Sequence, residues 1–170
     1  MKRSKFLTTM TSGSALLLAS PLLLANNPAV FEPDPQLDKE LVQNFVGKSH
    51  SDMDAVKAML AEHPTLINAA HDWKYGDFET ALGAASHVGF KDLAQFLLDN
   101  GAQANIFTAA LFGNLDLVKA MITAFPSALN AKGPHGFTLL HHAQKGGEEA
   151  AAVAEYLESK GLTKTKVKIY

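Results

Sequence analysis

Thr80-Ala-Leu-Gly-Ala-Ala-Ser-His-Val-Gly89 and Thr138-Leu-Leu-His-His-Ala-Gln-Lys-Gly-Gly147 are two readings of one pattern. Threonine, leucine, alanine and glycine recur at matched places, 58 residues apart. Thr108-Ala109-Ala110-Leu111-Phe112-Gly113 repeats the pattern between them. Leu82, Ala85 and Ser86 are spaced to share one helical face. Gly89 and Gly113 stand where a left-handed backbone ends a helix.

The recurrence continues downstream of each stretch. Met59-Leu60, Leu97-Leu98, Met121-Ile122 and Tyr156-Leu157 hold equivalent places. Ala61-Glu-His-Pro-Thr-Leu-Ile-Asn68 resembles Ala124-Phe-Pro-Ser-Ala-Leu-Asn130, and Asp99-Asn-Gly-Ala-Gln-Ala-Asn105 fills the same position between them. Leu93, Phe96 and Leu97 give a second helix its apolar stripe. Asp92, Asp116 and either Asp52 or Asp54 fall near the starts of such helices, where negative charge meets the positive end of the helix dipole. One helix pair alone leaves apolar surface bare, so stability must come from stacking neighbours.

These residues resemble the ankyrin repeat, with its pattern G-x-T-P-L-H-x-A-A-x-x-G, a second helix ending in L-L, then G-A-x-x-N. Gly136-Phe137-Thr138-Leu139-Leu140-His141-His142-Ala143 is the best local match, with Leu139 in place of the proline. Asp92 to Asn105 matches the second helix and its exit; Ala81 and Gly83 replace the family's proline and histidine. The resemblance implies an all-α ankyrin-type solenoid of about four repeats over residues 37–162, divided near 37–69, 70–105, 106–131 and 132–162. It implies that His141 bonds to backbone and, with Thr138, ties repeats together. It also places His87, Phe112 and Lys145 on the concave groove.

The units are unequal. The first lacks the threonine start and reads as a cap, with Leu41, Phe45 and Val46 in its first helix. The connection Ala70 to Glu79 is long, whereas Asn105 runs almost directly into Phe107-Thr108, so the third unit's finger shrinks to a tight turn. Ala131 to Gly136 carries turn residues. The tail, 163–170, alternates polar and apolar; a short strand is open to it, but a frayed basic end is the commoner fate.

The start, Met1-Lys2-Arg3-Ser4-Lys5, is cationic and free of acid, and the apolar run Ala15 to Ala25 follows. That is the layout of an export signal, expected over residues 1–25, with cleavage as late as residue 29. The run holds 11 residues including Pro21, against roughly 20 for a membrane span, so no membrane attachment is expected after cleavage. Lys2-Arg3-Ser4-Lys5-Phe6-Leu7 partly resembles a twin-arginine signal, which leaves two export routes open. The expected compartment is the periplasm.

Composition narrows the function. The chain of 170 residues has no cysteine, which excludes thiolate metal sites, thiol nucleophiles and disulfides. Residues 1–25 hold three cations and no acid, so the net charge goes from -2 for the whole chain to -5 without them. Such a balance disfavours nucleic acid.

Single-residue chemistry is sparse. His141 and His142 point about 100° apart on a helix and do not readily chelate one ion. His71-Asp72 lacks a nucleophile elbow, and Gly133 to Gly136 lacks a phosphate loop's lysine and spacing. Glu148-Glu149 suits a helix start. No catalytic residue, metal or cofactor is expected. The candidate partner-binding residues are Trp73, Tyr75 and Phe78 of the long connection, His135 at a hairpin tip, His142 turned to the groove side, and His87, Phe112 and Lys145. Aromatic side chains in a loop either pack back or meet a partner, and both remain open for Trp73 and Phe78, as packing on a neighbouring helix does for Phe112. The expected activity is binding of another protein. A hydrolase using histidine and a metal, or an immunity-type accessory of one exported protein, are the rivals.

Overall fold

The computed structural model describes residues 36–170; the expected export signal lies outside the described residues. The chain is mostly helical. Eight α-helices occur among the described residues, as four consecutive pairs: α1 (Lys39–Lys48) with α2 (Met53–Glu62), α3 (Ala81–Val88) with α4 (Lys91–Asp99), α5 (Ile106–Leu111) with α6 (Leu115–Ala124), and α7 (Leu139–Gly146) with α8 (Ala151–Ser159).

Short polar side chains start these helices. Asp38, Asp52, Thr80, Asn105, Asn114 and Thr138 each accept a backbone N–H of the first turn. Such a cap contributes about 1 kcal/mol. Asp54, Asp92 and Asp116 lie in first turns. Gly89 ends α3 at φ 82° and Gly113 follows α5 at φ 68°, as the pattern requires.

Two apolar clusters form the core. One joins Phe45, Val46, Val56, Leu82, Leu93, Leu97 and Leu111. The other joins Ala110, Val118, Leu139, Leu140, Val153 and Leu157. Each fully buried leucine contributes roughly 1.5–3 kcal/mol. The small first helices allow this: Ala81, Ala84 and Ala85 are wholly buried in α3.

The only sheet among the described residues is a hairpin, β1 (Ala70–Asp72) paired antiparallel with β2 (Phe78–Thr80), with His71 opposite Glu79. Asp72 shapes its turn by accepting the N–H of Lys74 and Gly76. No strand precedes α5, which begins directly after Asn105 and has only six residues. This brevity has a consequence. α7 packs against α5 and also against α3, one pair further along. Lys91 at the start of α4 reaches across to the Gly146 carbonyl and to Glu149, 2.8 Å away.

The tail is not frayed. Lys166 pairs with Phe137 in an antiparallel bridge. Thr138 donates to the Thr165 carbonyl at 3.0 Å and Val167 to that of Gly136 at 2.9 Å. Open backbone groups ahead of α7 thus give the alternating tail a template, and Lys166 Nζ lies 4.4 Å from the Phe137 ring centre.

Candidate functional site

The alternation of β2 turns Phe78 outward, 62% exposed, and leaves Glu79 1% exposed and neighbouring Asp77 8% exposed. The Glu79 carboxylate is therefore carried into the body by a strand of three residues. Around it three histidines converge from separate places. His50 follows α1, His87 is in the last turn of α3, and His135 sits in the turn before α7.

The distances are short. His87 Nε2 is 2.8 Å from Glu79 Oε1. His50 Nε2 and His135 Nε2 are 3.5 and 3.4 Å from Glu79 Oε2. His50 Nε2 and His87 Nε2 are 3.2 Å apart. One ligand atom from each of the four residues lies within 4.8 Å of all the others. Despite its proximity to His87, Glu79 Oε1 has no hydrogen bond, and it is buried.

Outer contacts fix the rings. His50 Nδ1 faces the carbonyls of Val46 and Gly47 at 3.1 and 3.0 Å. Carbonyls only accept, so Nδ1 carries the proton and the lone pair of a neutral ring is at Nε2. His135 Nδ1 meets Asp77 Oδ2 at 2.8 Å, and its own N–H donates to Asp77 Oδ1 at 2.8 Å. The same reasoning puts that ring's lone pair at Nε2. Trp73 Nε1 donates to Glu79 Oε2 at 2.7 Å. The His87 ring stacks on Phe137, which stacks on His141.

The expected surface residues divide. Tyr75, 79% exposed, and Phe78 do project from the hairpin. Lys145 is exposed, and Phe112 is half-buried against the first core cluster. Trp73 is half-buried, packed on that cluster and bonded to Glu79. His87 is 6% exposed. His142 is not an exposed groove residue: it is fully buried, with α7 packed against both α5 and α3. Its Nδ1 donates to the Thr138 carbonyl at 2.8 Å and Phe107 lies against the ring. Burial, opposed by that bond, lowers its pKa to about 4. His141 Nε2 donates to the His87 carbonyl at 2.8 Å, a backbone tie of the kind the resemblance implies. Burial lowers the pKa of His141 too.

His50 and Glu79 are the functional candidates that sequence reasoning missed. The four converging residues are spread over 86 positions, so no local spacing marks them. The available signal was weak: Asp77 and Glu79 stand two apart, one just before β2 and one within it.

A cleft of about 350 Å³ lies between the hairpin and the turn before α7, bordered by Phe78, Asn105, Phe107, Lys132, Pro134 and Ile169. It occupies the side where the third pair lacks a hairpin. Among the described residues no helix is long and apolar enough to cross a membrane. In comparisons with known proteins, no family model matches the chain and no curated protein matches it in sequence.

Proposed function

We propose that this protein is a non-enzymatic binding module of the ankyrin type, exported to the periplasm, that holds a partner protein through its β1–β2 hairpin and the adjoining groove. Four consecutive helix pairs, threonine caps before α3 and α7, and the His141 tie to backbone support the repeat reading. Residues 1–25 support export, and the acidic remainder disfavours a nucleic-acid partner.

The observation that carries the reading is the pair Tyr75 and Phe78. Both are largely exposed, on a hairpin that packs on α1 and is bonded through Asp77 to His135 of the turn before α7. Exposed aromatics on a rigid mount bind with little ordering cost and concentrate interface energy. The test is affinity capture from the native cell envelope with the full chain, beside a Tyr75→Ser/Phe78→Ser double variant. A protein captured by the parent and lost by the double variant, at equal thermal stability, supports the reading. Capture that is indifferent to the two substitutions overturns it.

A further inference from the structure

We propose that His50, Glu79, His87 and His135 form a binding site for one Zn²⁺ ion, which clamps the end of α1, the β1–β2 hairpin with α3, and the turn before α7. This goes beyond the partner-binding reading and does not depend on it.

The geometry comes first. Four donors at zinc bond lengths of roughly 2.0–2.1 Å around a tetrahedral ion stand about 3.3 Å apart. The contacts here are 2.8, 3.2, 3.4 and 3.5 Å. These contacts divide between the two Glu79 oxygens, and one donor atom from each of the four residues lies within 4.8 Å of the others, so an ion at the centre draws the side chains inward around it.

Charge is the second argument. Glu79 is buried, and among the described residues its ionic contacts are with these three histidines and no lysine or arginine. A buried carboxylate without a cation is costly by several kcal/mol. The Nδ1 bonds of His50 and His135 leave both Nε2 atoms turned toward that carboxylate, which gathers further donor atoms beside it. Glu79 Oε1, buried beside His87 Nε2 at 2.8 Å, is left with no hydrogen bond.

The outer shell is the third. Zinc-binding histidines typically give their other ring N–H to a carboxylate or a backbone carbonyl. His135 does the first with Asp77 and His50 the second with Val46 and Gly47. Trp73 orients Glu79 itself. The donor set of three imidazoles and one carboxylate suits zinc among the borderline divalent metals. Four protein ligands fill a tetrahedral shell, which makes the ion a structural clamp rather than a site that activates water.

The experiment uses the purified full chain, stripped with a chelator and titrated with ZnCl₂. One equivalent of Zn²⁺ binds, the melting temperature rises by about 5 °C or more at saturation, and Co²⁺ in its place gives the intense visible bands of a four-coordinate site. His50→Gln and His135→Gln, at the two partly exposed ligands, each weaken Zn²⁺ binding at least about 10-fold while circular dichroism stays unchanged. Lys119→Ala, exposed on α6 and away from the site, binds as the parent does. Absence of stoichiometric Zn²⁺ binding overturns the proposal. So does binding that both glutamine variants retain.

Discussion

His135 and Asp77 hold each other twice: ring Nδ1 to Oδ2 and backbone N–H to Oδ1, both at 2.8 Å, across 58 residues of sequence. His135 has φ 58°, a left-handed backbone that a non-glycine residue adopts at a cost. The paired bonds from Asp77 keep it there. Asp77→Ala leaves a strained turn without its anchor, and a loss of about 2–3 kcal/mol is expected from two charge-assisted bonds. Urea unfolding of parent and variant measures it. A loss under about 0.5 kcal/mol would show that the turn holds itself.

Acid stability should carry the mark of His142. Its pKa is lowered from 6.5 to about 4 in the folded chain. Between those values the unfolded chain binds the extra proton, so the contribution is whole above pH 6.5 and drains away as pH falls through about 4. The full swing is on the order of 3 kcal/mol. His142→Leu should flatten the stability curve across that window relative to the parent. Parallel curves for the two proteins would refute the assignment.

Two glycines should answer alanine in opposite ways. At Gly146 a Cβ would run into the Leu111 carbonyl and the Ala150 side chain, where α7 approaches α5. Gly146→Ala is expected to cost 3 kcal/mol or more, at about the upper end of overpacking. At Gly47, within α1, the nearest atom beyond the helix is on Trp73 at 4.0 Å. Gly47→Ala should therefore stabilise by about 0.5–1 kcal/mol. Thermal melts of both variants decide the matter.

Trp73 tests whether the hairpin's aromatics are equivalent. Its ring packs on the first core cluster and its Nε1 bonds Glu79, whereas Tyr75 and Phe78 face outward. Trp73→Ala should lower stability by about 2 kcal/mol or more. A melting temperature equal to the parent's would return Trp73 to the ranks of free surface anchors.

Much of the helical layout was legible because it is local. Apolar spacing, first-turn acids and glycine stops act within a few residues, and Gly89, Asp92 and Asp116 announced their roles. Contacts that skip a unit were not legible. The sequence showed that the third connection is short, but nothing in it said that α7 would then reach α3. That contact ties His141 to the His87 carbonyl, on the side where His135 meets Glu79. The tail's alternation was visible, yet its partner strand exists only as the backbone ahead of α7. His50 sits in a plain helix exit, and only its neighbours in space give it meaning.

The six-residue α5 also limits how this chain can change over time. Arrays of like modules ordinarily gain and lose members by duplication or deletion, since each touches only those beside it. Here an ordinary-length third module would drive its flanking neighbours apart and pull His135 away from Asp77 and Glu79. Both the number and the order of modules are thereby frozen, and inserting a spare hairpin ahead of Ile106 is the lesion this protein should tolerate least.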